Sequence, residues 1–138
     1  MNDATTTAHG AEHHWTLQRT TAIANLFLGS WFAVSLALMP EFGFRTIAGW
    51  LSDPVPSLAL ALLVVSVFWH ARLGLQVLIE DYVHDAGTKF AALAFINLAA
   101  IAGAAAGISL ILRVVAYSIA SEMASAGMLA QQAMAGAS

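Results

Sequence analysis

The sequence predicts an all-α membrane protein with three transmembrane helices, and two observations lead to this fold class. First, 59% of the 138 residues are hydrophobic and only 9% are charged, whereas a soluble domain carries about 25% charged residues. Second, three apolar runs are each long enough to cross roughly 30 Å of hydrocarbon as a helix. We place these spans at about 20–39, 57–83 and 89–115, within one membrane domain at 15–120.

Charge and cysteine content exclude several classes of function. The formal net charge is −3 and the few Lys and Arg are scattered, so no nucleic-acid partner is expected. The chain has no cysteine, which excludes disulfides, thiolate metal sites and cysteine-ligated iron–sulfur clusters within it. Gly103 and Gly107 form a G-x-x-x-G pattern, but it lies in an apolar run and therefore indicates helix packing rather than nucleotide binding.

Residues 1–14 are predicted to form a polar arm ahead of the first span. The arm lacks the basic region and apolar core of a signal peptide, and its histidines indicate either metal capture or a merely solvated segment. Those histidines are His9, His13 and His14. Trp15 and Arg19 suit the headgroup region, and the uncharged run at 20–39 then stops at Pro40.

The segment 40–56 predicts a loop with an interfacial half-helix at about 43–51, because charged, aromatic and apolar residues alternate there. Pro54 and Pro56 favour extended backbone just ahead of the second span. That span, 57–83, begins strongly apolar and becomes polar toward its end.

The third span, 89–115, is rich in Ala and Gly, which favours close packing against another helix. Thr88 is the predicted cap at its start. Asn97 indicates an interhelical hydrogen bond, and Arg113 marks the far interface. Residues 121–138 are too weakly apolar for a fourth span, so we expect a weakly structured tail there that either forms a surface helix or frays.

The positively charged residues do not fix the orientation of the three spans. Arg19 and Lys89 fall on one side of the membrane, and Arg45 and Arg113 fall on the other. Because these numbers are equal, the excess of Lys and Arg that marks cytoplasmic loops is absent from both sides.

His70 lies inside the second span, where an ionisable side chain is costly and therefore needs a physical reason. At about 100° per residue it shares one helix face with Gly74, Val77 and Asp81, and Asp81 lies roughly 16 Å further along the axis. His70 could be a haem ligand, a hydrogen-bonded structural residue or a proton relay. A haem ligand here needs a second His from another subunit, since the chain has no other His at mid-membrane depth. Gly74 leaves room for a flat ring or for a neighbouring helix.

Three further polar residues follow His70 in this span. Arg72 lies about 200° around the helix from His70 and so faces a different neighbour; a carboxylate, a haem propionate or a lipid phosphate would satisfy it. Asp81 and Tyr82 lie at the membrane edge. A tyrosine hydroxyl can donate to a quinone carbonyl, and a carboxylate with water can supply a proton; the alternative is an ordinary interfacial pair.

Two regions of the chain together resemble the D-type membrane anchor subunit of succinate dehydrogenase (respiratory complex II). The matching residues are His70, Gly74 and Asp81-Tyr82-Val83-His84 with Leu73-Gly74-Leu75-Gln76-Val77 in the second span, and His14-Trp15 with Gln18-Arg19-Thr20-Thr21-Ala22-Ile23 at the start of the first. The spacing of His70 from the Asp81-Tyr82 pair is the most distinctive element.

The resemblance implies an anchor in a heteromeric helical bundle of the bacterial inner membrane, serving electron transport in the respiratory chain and the tricarboxylic acid cycle. Expected partners are a C-type anchor subunit, an iron–sulfur subunit, a flavoprotein subunit and the lipid bilayer. His70 would ligate haem b jointly with the C-type subunit. Tyr82 would hydrogen-bond ubiquinone, Asp81 would assist its protonation, and Arg19 would lie near a haem propionate or the quinone pocket.

The resemblance also implies a topology and a division of labour. The N-terminus and the Asp81-Tyr82 end would face the cytoplasm, and the chain would be a non-flavin subunit with no activity alone. Two other functions remain open at this point: a haem-binding anchor of a fumarate reductase, and a structural three-helix membrane protein whose His70 is only hydrogen-bonded.

Overall fold

The computed structural model describes the backbone of residues 3–136 and the side chains of residues 15–136, and this part of the chain forms four helices without a strand. The helices are α1 (Asp3–Ala37), α2 (Phe44–Ser52), α3 (Pro54–Tyr82) and α4 (Ala86–Gly136). Trp15–Ala37 of α1, all of α3 and all of α4 are long and apolar enough to cross a membrane. The predicted all-α fold with three spans is confirmed.

The first helix begins well before the expected span. Residues 3–14, predicted as a separate polar arm, have helical backbone continuous with α1. Metal capture by His9, His13 and His14 concerns side chains outside the described residues. Residues 15–136 contain no group of three potential metal ligands.

The predicted half-helix at 43–51 is confirmed as α2, at Phe44–Ser52. It buries Ala48 and Leu51 and packs against both α3 and α4. Trp50 of α2 also stacks on Trp31 of α1, with ring centroids 5.6 Å apart. This short amphipathic helix therefore covers one end of the three spans.

The start of α3 differs from the sequence prediction. Pro54 and Pro56 were expected in extended backbone, but the helix already begins at Pro54. Proline is well tolerated in a first turn, where its missing N–H has no intrahelical partner. Asp53 caps this turn, since its Oδ1 accepts from the Val55 N–H at 2.9 Å. At the other end α3 stops at Tyr82, close to the predicted 83.

The cap of α4 is Asp85 rather than the predicted Thr88. Both the backbone N–H and the hydroxyl of Thr88 donate to Asp85 Oδ2, at 2.8 and 2.7 Å. These bonds stabilise the carboxylate and lower the pKa of Asp85 below its ordinary value. The Thr88 prediction was wrong because Thr88 already lies inside the first turn, where it donates protons instead of accepting them.

Residues 121–136, expected as part of a weakly structured tail, continue α4 without a break. The stretch is dominated by Ala, Met, Leu, Glu and Gln, which favour helix, and no proline interrupts it. The helix rises about 36 Å between Lys89 and Arg113, which already matches the membrane thickness. The remainder of α4 therefore projects beyond the hydrocarbon, and every residue from 119 to 136 is exposed.

The helix α3 lies between the other two spans. It packs against α1 on one side and α4 on the other, while the described parts of α1 and α4 do not contact each other. Phe68 faces Gly103 and Val64 faces Gly107, where an added Cβ would meet Val64 Cγ1 at 2.7 Å. The G-x-x-x-G pattern therefore does serve helix packing, as predicted. Few side chains are buried within the chain, which leaves most apolar surface for lipid or for other subunits.

Candidate functional site

His70 is held by a side chain of the neighbouring span. Its Nδ1 lies 3.0 Å from Thr21 Oγ1 on α1. The Thr21 oxygen also lies 2.9 Å from the Leu17 carbonyl and 3.1 Å from that of Gln18, to which its hydroxyl proton is donated. When the Thr21 proton is on one of these carbonyls, Nδ1 is the donor to Thr21 and Nε2 is left with a free lone pair.

A second hydrogen bond fixes the same level of the two helices. Ser66, one turn before His70, donates to the backbone carbonyl of Thr21 at 3.4 Å. Beside it, a groove of about 390 Å³ lies between α1 and α3. Further along α1, Asn25 Oδ1 is buried without a donor among the described side chains.

The face of α3 that carries His70 and Gly74 is open beyond the Thr21 contact. A Cβ built on Gly74 meets nothing within 4 Å. Around it Val67, Val77 and Leu78 expose 45%, 37% and 52% of their surface. Because α1 and α4 occupy other sides of α3, this face is free to meet another protein or a flat cofactor.

Arg72 belongs to the opposite side of α3, as its position on the helical wheel predicted. Its Nε donates to Asn97 Oδ1 on α4, and its guanidinium lies 4.9 Å from the Trp69 ring centroid. Asn97 Nδ2 in turn donates to the Leu93 carbonyl at 2.8 Å. The interhelical hydrogen bond predicted for Asn97 is confirmed, whereas the partner of Arg72 is an amide and not one of the three groups expected.

Asp81 and Tyr82 lie at the end of α3 on the surface of the chain. Tyr82 exposes 77% of its surface, and Asp81 is exposed as well. The turn beside them is tied down by Lys89, whose Nζ donates to the Glu80 carbonyl at 3.1 Å. Both side chains are thus presented outward from a fixed helix end, about 16 Å along the axis from His70.

Arg19 is not brought to His70 in this structure. It lies two residues before Thr21, about 200° around the helix, and its exposed guanidinium stacks 4.4 Å from the Trp15 ring centroid. Of the predicted site residues, only His70, Gly74 and Asp81 share a face, with Tyr82 beside them.

Comparison with known proteins decides the family. The model of the succinate dehydrogenase/fumarate reductase transmembrane subunit family matches residues 3–122. The chain belongs to this family.

Curated members of the family share about a third of their matched residues with this anchor subunit. The succinate dehydrogenase hydrophobic membrane anchor subunits of Rickettsia bellii, Rickettsia conorii and Rickettsia felis are 34%, 35% and 33% identical to it. These matches cover 57%, 55% and 54% of this chain and 63%, 61% and 62% of the relatives, so the chain spans less than two thirds of their length. No solved structure matches it.

Thr21 is a residue of the candidate site that the sequence analysis did not single out. It lies in the 18–23 segment that carries part of the family resemblance, but an uncharged Thr in an apolar helix gives no signal of its own. Only the position of α1 against α3 shows that its hydroxyl meets His70.

Proposed function

We propose that this succinate dehydrogenase/fumarate reductase anchor ligates haem b jointly with a second anchor subunit and forms part of the ubiquinone-reduction site of a succinate:quinone oxidoreductase. The observation that carries the proposal is the environment of the two ring nitrogens of His70. One ring nitrogen is committed to Thr21, and the other is available on a helix face that nothing else in the described chain covers.

The residues around His70 fit a haem. A histidine ligates iron through an imidazole lone pair, and the tautomer that donates from Nδ1 to Thr21 offers this lone pair at Nε2. The bare backbone at Gly74 leaves room for a planar macrocycle one turn away. His84, the other histidine with a described side chain, lies beyond the end of α3, so a second histidine to hold the haem would come from a partner.

The protein's contribution at this position is to hold and orient the ligand. Thr21 fixes the tautomer and the ring plane of His70, as outer-shell hydrogen bonds do for ligating histidines generally. When bound, haem supplies reversible one-electron storage at this depth. The apolar residues Val67, Val77 and Leu78 then exclude water from the contact with the partner helix.

The quinone site is proposed at the Asp81-Tyr82 end of the same helix. Tyr82 donates its hydroxyl proton in a hydrogen bond to a quinone carbonyl oxygen, and Asp81 passes protons from water to the head group as it is reduced. Both side chains point away from their own chain, so the remaining walls come from partner subunits. Arg19 is assigned to the propionate or quinone region on the partner-facing surface of α1.

The proposed assembly adds a C-type anchor subunit, an iron–sulfur subunit and a flavoprotein subunit, which performs the succinate chemistry. We propose the bacterial inner membrane as its location, with the N-terminus and the Asp81-Tyr82 end cytoplasmic. The family description names both succinate dehydrogenase and fumarate reductase, while the three relatives are named for succinate dehydrogenase. We therefore favour the direction of succinate oxidation.

Haem ligation is tested by a reduced-minus-oxidised spectrum of the purified complex. His70→Ala should abolish the b-type absorption of this site, because the Nε2 donor is gone. His84→Ala is the matched control and should retain it, since His84 is exposed and lies past the end of α3. An unchanged spectrum in His70→Ala, or no b-type absorption in the unmodified complex, would assign His70 a purely structural role.

Quinone reduction is tested separately from succinate oxidation. Tyr82→Phe should slow electron transfer to ubiquinone by about 10²-fold or more, the scale of a positioned proton-transfer or hydrogen-bond group, while succinate oxidation by an artificial dye continues. Asp81→Asn should behave likewise, with Asp85→Asn as the control at the same membrane edge. Equal loss of both activities would indicate failed assembly, and unchanged quinone reduction would refute the site.

A further inference from the structure

A cavity on the other side of the membrane from Asp81 is not used by the proposed haem or quinone sites. It lies between α2 and the part of α4 beyond Arg113, and its volume is about 450 Å³, within the usual range of ligand sites. Its floor is formed by Ala48 and Ser118, which are 5% and 6% exposed. Ser118 Oγ is occupied, because it accepts a hydrogen bond from Ser52 Oγ.

Aromatic side chains place this cavity at the depth of lipid headgroups. Phe44 of α2 meets Tyr117 of α4 edge-on, with centroids 5.4 Å apart, and both line the cavity. Trp31 and Trp50 stack at the same end of the spans. Aromatic residues of this kind collect at the membrane–water interface, and α2 is itself the interfacial helix.

The cavity carries one cation and one anion that do not neutralise each other. Arg45 projects from α2 and Glu122 from α4, and both line the space. In the described part of the chain neither side chain has an ion-pair partner. Both side chains are exposed, and a ligand that binds both brings a negative and a positive group of its own.

The α4 side and the α2 side of the cavity differ in their chemistry. Ser121 and Ser125 donate their protons to the backbone carbonyls of Ser118 and Glu122, both at 2.8 Å. Their oxygen lone pairs remain free to accept. Beside the Glu122 carboxylate they make an acceptor-rich end on α4, which suits an N–H donor, while Arg45 on α2 suits a phosphate.

We propose that this cavity binds the headgroup of a phospholipid that carries a free primary ammonium, of the phosphatidylethanolamine class. Arg45 binds the phosphate, and Glu122 with Ser121 and Ser125 accepts hydrogen bonds from the ammonium. A quaternary ammonium has no N–H to donate to these acceptors, and a glycerol headgroup brings no charge to balance Glu122. The acyl chains lie along the apolar surface of the spans.

The test uses the chain purified in mild detergent with whatever subunits accompany it, and then transferred to nanodiscs. The discs contain phosphatidylethanolamine, phosphatidylcholine and phosphatidylglycerol in equal amounts, and mass spectrometry identifies the lipids retained after the disc is removed. We expect phosphatidylethanolamine to be enriched about tenfold, which corresponds to about 1.4 kcal/mol. Arg45→Gln should lose all three lipids, whereas Glu122→Gln should keep phospholipid but lose the preference.

Arg113→Gln is the control, because it removes a positive charge on the same side of the membrane but outside the cavity, and it should retain the enrichment. Equal retention of the three lipids by the unmodified protein, or an undiminished preference in Glu122→Gln, would overturn the proposal. Displacement of the lipid by millimolar inorganic phosphate would assign the cavity to free anions instead. If Arg45→Gln fails to assemble, Glu122→Gln decides alone. The result does not depend on haem, whose spectrum is recorded on the same sample.

Discussion

The two sides of α3 are built differently. The α3–α4 seam consists of Val64, Phe68 and Arg72 against Gly107, Gly103 and Asn97. The α1–α3 seam consists of Ser66 and His70 against Thr21, with a groove of about 390 Å³ alongside. The first seam is close-packed at its two glycines, although a groove of about 240 Å³ opens beside it, and its Arg72–Asn97 hydrogen bond is made within the chain. The second, looser seam has no such glycine contact and leaves one imidazole nitrogen without a partner in the described residues.

Arg72 and His70 illustrate this difference, because they are only two residues apart on α3 but lie on its two different sides. Arg72 donates a hydrogen bond to Asn97 on α4 and lies against the Trp69 ring, so both of these contacts are made within the chain. His70 has a hydrogen bond on one side only, and its other side opens toward Gly74. A polar group that is half satisfied inside a membrane indicates a ligand or a subunit still to be added.

The largest effect is expected at the close-packed seam. Gly103→Ala places a methyl group inside the Phe68 ring position, and such overpacking costs about 1–3 kcal/mol. Gly29→Ala is the control, since its added Cβ meets nothing within 4 Å. Thermal unfolding in detergent should show a clear loss for Gly103→Ala and none for Gly29→Ala. Equal stability of the two variants would contradict the packing described here.

The next effect concerns the Arg72–Asn97 hydrogen bond. A double-mutant cycle with Arg72→Met and Asn97→Leu should give a coupling free energy between about 0.6 and 1.7 kcal/mol, which are the average and the maximum for interhelical hydrogen bonds in a membrane protein. Asn25→Leu should be close to neutral, because Asn25 Oδ1 has no donor among the described side chains. A coupling near zero would mean that Arg72 is held by something other than Asn97.

A smaller effect on stability, with a specific signature, is expected at the loose seam. Thr21→Val keeps the shape of the side chain but removes the hydroxyl that bonds to His70 Nδ1. The free energy of unfolding should therefore fall by only about 0.6 kcal/mol. Loss of an outer-shell bond should nevertheless weaken haem retention by about 10–100-fold. The Thr21→Ser variant retains the hydroxyl and should restore it. An unaltered haem affinity in Thr21→Val would make Thr21 a packing residue only.

The smallest effect lies outside both seams, at the cap of α4. The folded pKa of Asp85 is lowered by its bonds to Thr88, so the stabilisation is present above the ordinary pKa of 3.8 and is lost as pH falls through the lowered value. Asp85→Asn should remove this part of the acid dependence of unfolding, since the amide accepts the same bonds at every pH. Identical acid profiles for the two proteins would show that the cap does not contribute.

The elements of the fold were predictable because their signals are local. Twenty uncharged residues after Arg19 and the proline at position 40 define a span whatever surrounds them. The family resemblance likewise required only residues and spacing. Where the prediction failed, at Thr88, two local signals competed. Two carboxylate or hydroxyl residues lie near the start of α4, and backbone geometry chose the one that precedes the first turn.

The sequence alone determined the three spans, the interfacial helix and the face shared by His70 and Asp81, since hydropathy, length and helical period are properties of single segments. The tertiary structure decided which residue each polar group meets. Thr21 and His70 are 49 positions apart, and their contact depends on the rotation and depth of two helices relative to each other. The periodicity of a single helix determines neither its rotation nor its depth relative to a neighbour, because packing between the helices fixes both.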